Sequence, residues 1–180
     1  IHIFKSVFTH NRYPMAGRAL LEVKNLVTSF YTEEEIVAAV NDISFTLNRG
    51  ETIGIVGESG SGKSVTSLSI MRLIQYPPGK ILNGEIIYHD QSGNAIDLMK
   101  LSERKMRSVR GNEISMIFQE PMTSLNPVYT CGNQVMEAIR LHQKLTKSHA
   151  RNVTLELFDQ VELPNPKRIL KSYPHELSGG

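Results

Sequence analysis

A glycine-rich loop that directly follows a short apolar run governs how this chain can fold. Residues 52–56 read Thr-Ile-Gly-Ile-Val, and residues 57–64 read Gly-Glu-Ser-Gly-Ser-Gly-Lys-Ser, a full match to the pattern G-x-x-x-x-G-K-[ST]. The pattern predicts a β-strand, a loop without obstructing Cβ atoms, and a helix that begins near Lys63. Backbone N–H groups of such a loop surround an anion. We therefore expect an α/β core that binds a nucleoside triphosphate with Mg²⁺.

Each residue type in this loop has an expected role. The helix that follows adds its positive N-terminal end to the anion site. Lys63 is expected to reach the outer phosphates as a point charge, and the Ser64 hydroxyl is expected to ligate Mg²⁺. Apolar residues from Val65 to Ile74 are expected to pack the helix against a sheet. The predicted nucleotide-binding set is Gly57, Glu58, Ser59, Gly60, Ser61, Gly62, Lys63, Ser64 and Val65.

Composition narrows the class of protein. At 180 residues, 40% of them hydrophobic and 21% charged, the chain suits one globular domain with or without an inserted subdomain. The formal net charge of +2 and the mixed charges of residues 100–110 favour a solvated helix face there, so we expect no nucleic-acid partner. The single cysteine, Cys131, rules out an internal disulfide. No stretch approaches the roughly 18 apolar residues of a membrane span, and we expect a soluble or peripheral protein in a reducing compartment.

Patterning along the chain predicts a β-rich first part and a helical second part. Residues 113–118 are expected to form a buried strand that ends at Gln119. The apolar face of the last helix is expected to comprise Val153, Leu157 and Val161, with Phe158 beside them. Strands are predicted at 20–27, 36–40, 43–47, 84–88 and 113–118, and helices at 102–109, 133–145 and 149–161.

The predicted organisation has three parts. Residues 1–19 are interpreted as an N-terminal extension, with Met15 as the natural start and the preceding residues as non-native. Residues 20–128 form the first part of an ATP-binding core, and residues 129–180 form a helical subdomain. The abrupt end at Gly180 is interpreted as that of a fragment.

Three motifs in order resemble those of ABC transporter nucleotide-binding domains. They are the loop at 57–64, the glutamine in Met116-Ile117-Phe118-Gln119-Glu120-Pro121, and Leu177-Ser178-Gly179-Gly180. More narrowly, residues 57–64, 121–127 and 173–180 are similar to the ATPase subunit of dipeptide, oligopeptide and nickel importers. The resemblance runs from about residue 20 to residue 180. It implies a P-loop core with a mixed β sheet, an N-terminal antiparallel β part and an α-helical subdomain, in an incomplete ABC ATPase fold.

The resemblance also implies roles for particular residues. Gln119 would contact Mg²⁺ or the attacking water, and Ser178, Gly179 and Gly180 would bind the γ-phosphate of a partner subunit's ATP. Phe30, with Tyr31 as the other candidate, would stack on adenine, although packing in the core is the alternative for Phe30. Residues Met122, Leu125 and Val128 would line a groove for a helix of the permease, or would simply pack within their own loop.

The implied function is that of a subunit that binds and hydrolyses ATP to energise peptide import. Its implied partners are integral membrane permease subunits, a second ATPase subunit in a head-to-tail dimer and, indirectly, a substrate-binding protein. Its implied location is the cytoplasmic face of the bacterial plasma membrane. The acidic residue that supports Mg²⁺, the adjacent catalytic glutamate and the γ-phosphate histidine of the family follow the signature. None occurs within these 180 residues, so we expect this chain alone not to hydrolyse ATP.

Two other functions remain open at the level of sequence. One is a binding-only or non-functional remnant that keeps the phosphate loop without the catalytic carboxylate. The other is a different phosphate-loop enzyme such as a small-molecule kinase, for which the chain offers no acceptor site.

Overall fold

The computed structural model describes residues 2–6, 18–118 and 124–177, with residues 2–6 described by their backbone alone. The chain divides into two compact units, unit 1 from Ile1 to Met116 and unit 2 from Ile117 to Gly180. The predicted boundaries at 19/20 and 128/129 remain predictions. None of the helices in the described ranges combines the length and apolar character needed to cross a membrane.

Unit 1 contains two β-sheets whose ladders are all antiparallel. The strands are β1 (His2–Ser6), β2 (Ala19–Tyr31), β3 (Ile36–Asn48), β4 (Thr52–Val56), β5 (Gly79–His89) and β6 (Ala95–Asp97). One sheet has the order β3-β2-β5-β6, and β4 pairs with β1 in the other. The only parallel pairing among the described residues is the isolated bridge between Arg110 and Ile114.

A bulge in β2 places two residues that are three positions apart on the same buried face. Val23 is 1% exposed and Leu26 is 0% exposed, although strict alternation would direct them to opposite faces. Register shifts surround these positions, and Asn25 has a φ of 49°. On the neighbouring β5, a Cβ at Gly84 would lie 2.8 Å from the Leu26 Cα, so the close approach requires glycine.

Two helices of unit 1 complete its core. Helix α1 (Lys63–Ile70) contributes Ile70, and helix α2 (Glu103–Val109) contributes Met106 and Val109. These residues pack with Val23, Leu26, Val40, Ile86, Tyr88 and Leu98 of the four-stranded sheet and the 3₁₀ turn Leu98–Lys100. Ser102 caps α2 by accepting a hydrogen bond from the Lys105 N–H, and this confirms the predicted helix at 102–109.

Unit 2 is helical, as the sequence predicts. Its helices are α3 (Cys131–Gln143), α4 (Lys147–Gln160) and α5 (Pro166–Ile169), followed by a 3₁₀ turn at Pro174–Glu176. The helices α3 and α4 begin with threonine caps, Thr130 and Thr146. Gly132 faces α5 closely, since a Cβ there would lie 2.7 Å from the Leu170 side chain and would also meet the Leu170 carbonyl oxygen.

Three sequence predictions about elements are wrong in whole or in part. The separate strands predicted at 36–40 and 43–47 are one continuous strand, β3. Residues 115–118 form no strand, and Ile117 is 95% exposed, because no described strand lies alongside this segment to supply ladder hydrogen bonds. In α4 the buried residues are Ala150, Thr154 and Phe158, which also follow the helical spacing of four. Leu157 and Val161 are exposed, because the smaller face packs closely against neighbouring helices of unit 2.

Candidate phosphate-binding site

The loop between β4 and α1 has the backbone conformation that its glycines permit. Gly60 has a φ of 80° and Gly62 a φ of 87°, in the left-handed region that disfavours residues with a Cβ. A hydrogen bond of 3.2 Å from the Ser61 N–H to the Glu58 carbonyl closes the turn. The predicted order of strand, loop and helix is therefore present.

The Lys63 ammonium group lies against the loop. Its Nζ donates to the Gly57 carbonyl oxygen at 2.8 Å and to the Glu58 carbonyl oxygen at 2.6 Å. These bonds fold the side chain back over the loop that carries it. They place a positive charge where the sequence pattern predicts phosphate oxygens.

The N-terminus of α1 has no side-chain cap. Its cap residue is Gly62, which supplies no side-chain acceptor, and no acidic residue lies in the first turn. The Ser64 side chain is exposed, and the buried Ser61 Oγ has no hydrogen-bond partner among the described residues. Unsatisfied donors, a helix N-terminus and an ammonium group together suit a polyphosphate with its Mg²⁺, so the residues present fit this ligand.

Buried hydroxyl groups hold α1 in place. The Thr66 Oγ1 donates to the Gly62 carbonyl oxygen at 2.9 Å, which ties the helix to the last loop residue. The Ser69 Oγ donates to the Val65 carbonyl oxygen at 2.7 Å and lies 2.8 Å from the Thr28 Oγ1 of β2. The predicted packing of α1 on the sheet is thus partly polar.

Two arginines, which the sequence analysis did not single out, anchor the other end of α1. Arg110 donates through Nε to the Met71 carbonyl and through Nη2 to the Arg72 carbonyl, both at 2.8 Å. Arg72 in turn donates to the carbonyls of Leu98 and Leu101. Cations at a helix C-terminus are favourable. Arg72 and Arg110 are 38 positions apart in sequence, so local patterns do not reveal this contact.

The two candidate adenine-stacking residues differ in their surroundings. The Phe30 ring is half-buried beside Gly79 and Ile74, since a Cβ at Gly79 would lie 2.8 Å from Phe30 Cε1 and 2.6 Å from Ile74 Cγ2. Tyr31, at the end of β2, is 39% exposed. The stacking role of either aromatic ring remains a prediction.

Several predicted site residues lie outside the described residues. These are Gln119, Met122, Ser178, Gly179 and Gly180. Of the two remaining predicted groove residues, Leu125 packs against the core of unit 2, whereas Val128 is 70% exposed.

Two concave regions elsewhere in the chain do not include the phosphate loop. One of about 530 Å³ lies beside the β2 bulge and includes Asn25 and Gly84. The other, of about 340 Å³, lies beside α5 in unit 2 and includes Arg168. The loop is a better candidate than either because it combines an ammonium group, a buried hydroxyl without a partner among the described residues and a helix N-terminus without a side-chain cap.

Comparison with known proteins agrees with this geometry. The family profile that describes the ABC transporter matches residues 40–180. This chain belongs to the ABC transporter family. The α/β class and the P-loop fold predicted from the sequence are thereby confirmed.

Relatives of this ABC transporter family member carry names from import systems. It is 50% identical over 166 residues to a Brucella ovis protein named as a peptide import ATP-binding protein, covering 92% of this chain and 49% of the relative. It is 47% identical over 163 residues to the glutathione import ATP-binding protein GsiA of Pectobacterium atrosepticum, covering 91% of this chain and 26% of that protein. The chain thus spans half or less of these relatives.

Solved structures support the fold. The dimeric structure of MJ0796, a bacterial ABC transporter cassette, matches with a TM-score of 0.68 at 23% identity. The match covers 89% of this chain and 64% of the cassette. A second structure of the same cassette, in a post-hydrolysis state bound to ADP and Pi, matches with a TM-score of 0.66 at 22% identity, covering 88% of this chain and 63% of that one.

Proposed function

We propose that this chain is the ATP-binding part of a subunit that hydrolyses ATP to energise an ABC importer of dipeptides or oligopeptides. The observation that carries the proposal is the Lys63 ammonium group, held on the carbonyls of Gly57 and Glu58 in front of an uncapped helix N-terminus. The names of the relatives, which refer to peptide and glutathione import, support the substrate class.

The described residues supply binding and orientation. Lys63 leaves its two carbonyl acceptors and pairs with the outer phosphates, while N–H groups of the loop and of the first turn of α1 donate to phosphate oxygens. Ser64 and Gln119 would hold Mg²⁺, which supplies charge neutralisation between the phosphates when bound. The Ser61 hydroxyl gains an acceptor, which relieves the cost of a buried unsatisfied group.

The site would be completed by a second ATPase subunit. Ser178, Gly179 and Gly180 of one subunit would close over the phosphate loop of another, in a head-to-tail dimer. Dimer closure and opening would drive integral membrane permease subunits that receive peptide from a substrate-binding protein. The subunit would act at the cytoplasmic face of the membrane as a peripheral protein. That the 180 residues alone turn over no ATP stays a prediction.

Replacing Lys63→Ala tests the ligand assignment. Loss of a charged donor should weaken MgATP binding by the 180-residue chain about 10- to 100-fold, since hydrogen bonds to charged groups contribute roughly 1.5–3 kcal/mol. Isothermal titration calorimetry gives the affinity. Lys105→Ala, which removes an exposed lysine on α2, is the matched control and should leave the affinity unchanged.

Equal affinities of the wild-type chain and the Lys63→Ala variant would contradict the phosphate-loop assignment. The import function needs a separate measurement, in which the full-length protein and its permease are reconstituted in lipid vesicles. ATP-dependent uptake of a labelled dipeptide or oligopeptide is expected, and ATP binding without any peptide uptake would overturn the substrate class alone.

A further inference from the structure

Two buried hydroxyl groups join the antiparallel sheet to the phosphate-loop helix. Thr28 of β2 and Ser69 of α1 are both 0% exposed, and the distance between Thr28 Oγ1 and Ser69 Oγ is 2.8 Å. They are 41 residues apart in sequence. The contact is therefore a tertiary one, made where apolar packing alone would otherwise hold the helix on the sheet.

The direction of this hydrogen-bond chain follows from proton count. The Ser69 hydroxyl has one proton, and it donates that proton to the Val65 carbonyl at 2.7 Å. Ser69 Oγ must then accept from Thr28, whose hydroxyl is the donor. The chain Thr28 → Ser69 → Val65 ends in the first turn of α1, next to Ser64 and directly after the phosphate loop.

The same strand ends at the candidate adenine-stacking rings. Phe30 and Tyr31 follow Thr28 by two and three residues on β2. Both pair with β3, and Phe30 also pairs with β5. The candidate groups for the adenine ring thus lie on β2, and those for the phosphates lie on the loop and on α1. The Thr28–Ser69 bond is a directional contact between these two elements.

We propose that Thr28 is a positioning residue that sets the separation between the base-stacking end of β2 and the phosphate loop. The inference rests on the proposed function, in which this chain binds ATP. Apolar contacts have no preferred direction, whereas a buried hydrogen bond that is broken leaves an unsatisfied group. The bond therefore selects one register, so that base and triphosphate bind as parts of a single ligand.

The test compares ATP with inorganic tripolyphosphate, which has no base or ribose. In the wild-type chain the ratio of the two affinities measures the contribution of the nucleoside. Thr28→Val keeps the side-chain shape and removes the hydroxyl, and it should weaken MgATP binding about fivefold while changing tripolyphosphate binding by less than about twofold. Thr28→Ser keeps the donor and should restore the wild-type ratio.

Matched variants separate positioning from folding. Thr154→Val removes another fully buried threonine hydroxyl, in unit 2, and should change neither affinity. Ser69→Ala removes this bond and also the bond from Ser69 to Val65, so it should weaken MgATP binding at least as much as Thr28→Val does. The double variant should be no worse than Ser69→Ala alone, because the bond that Thr28→Val removes is already absent there.

Three results would overturn parts of this picture. If Thr28→Val weakened the binding of ATP and of tripolyphosphate equally, Thr28 would only support α1, and the inference would be refuted. Equal affinity of the wild-type chain for both ligands would refute base stacking and the inference with it. Failure of the wild-type chain to bind either ligand would contradict the proposed function itself.

Discussion

Several long polar side chains among the described residues bind backbone carbonyls. Lys63 binds two loop carbonyls, Arg110 binds the carbonyls of Met71 and Arg72, and Arg72 binds those of Leu98 and Leu101. A carbonyl at a helix end or in a loop has no regular partner, so a charged donor there satisfies it with a strong bond. Such bonds let single residues hold segments that are distant in sequence.

Tyr88 is the residue from which we predict a pH dependence of stability. It is 5% exposed and donates to Glu113 Oε2 at 2.8 Å. Burial, and then the bond to Glu113, raises the pKa of Tyr88 to about 12 from an ordinary value of 10.0. Because the unfolded chain loses this proton first, stability is fully present below pH 10 and falls between pH 10 and 12, by up to about 1.4 kcal/mol per pH unit.

Urea unfolding at pH 9 to 12 measures this loss of stability. In the Tyr88→Phe variant, the steepest part of the fall in unfolding free energy with pH should be absent. Tyr76→Phe, at a tyrosine that is 72% exposed, is the control and should keep the wild-type pH dependence. Identical pH profiles for the wild-type chain and Tyr88→Phe would show that Tyr88 ionises normally.

At the scale of elements, a single glutamine organises the loop before α3. Gln134 Oε1 accepts from the Asn126 N–H at 2.8 Å, and its Nε2 donates to the carbonyls of Asn126 and Tyr129, both at 2.9 Å. This clamp holds a loop that exposes Val128 and Tyr129. One residue of the following helix thus contributes three of the hydrogen bonds that hold this loop, beside the bond from the Val128 N–H to Asn126 Oδ1.

Gln134→Ala should loosen this loop without unfolding α3. Loss of three hydrogen bonds should speed amide exchange at Asn126 by at least about tenfold and lower the free energy of unfolding by about 1–3 kcal/mol. Hydrogen exchange followed by NMR measures the first, and urea unfolding the second. Gln143→Ala, at an exposed position at the end of the same helix, should leave Asn126 unaffected; a similar effect from both would contradict the clamp.

The elements differ in how far sequence patterns predict them. The helix at 102–109 and the glycine-rich loop carry local signals, and the structure confirms both. The predicted strand at 113–118 is wrong, because a strand requires a neighbour that no local pattern contains. The apolar face predicted for α4 is partly wrong: Val153 and Phe158 pack in unit 2, but Leu157 and Val161 are exposed. Ala150 and Thr154 have low or mixed hydrophobicity and are buried only by packing against other helices.

At the scale of the whole molecule, hydrophobic burial is divided between units. The core of unit 1 includes Met106, whereas unit 2 has separate clusters around Phe158 and around Met136 and Ile139. Each unit therefore has its own source of stability. Separate cores allow local opening of one unit with less effect on the other.

Truncations in the two cores test this division. Met106→Ala should destabilise unit 1 by about 2–5 kcal/mol, and Phe158→Ala should destabilise unit 2 by about 3–5 kcal/mol, through lost contacts and cavities. Hydrogen exchange resolved by residue should show faster exchange chiefly in the unit that carries each substitution. Uniform acceleration across both units by either variant would show a single cooperative fold instead.

Local sequence is sufficient for the phosphate loop, the helix caps and the change from β-rich to helical character, because these depend on residues a few positions apart. The family is also predicted by short motifs of this kind, taken in their order along the chain. The anchoring of α1 by Arg110, the Thr28–Ser69 bond and the clamp by Gln134 depend on tertiary structure. A side chain that binds a distant backbone group leaves no periodic signal, since its partner is a carbonyl or hydroxyl of ordinary type that only folding brings near.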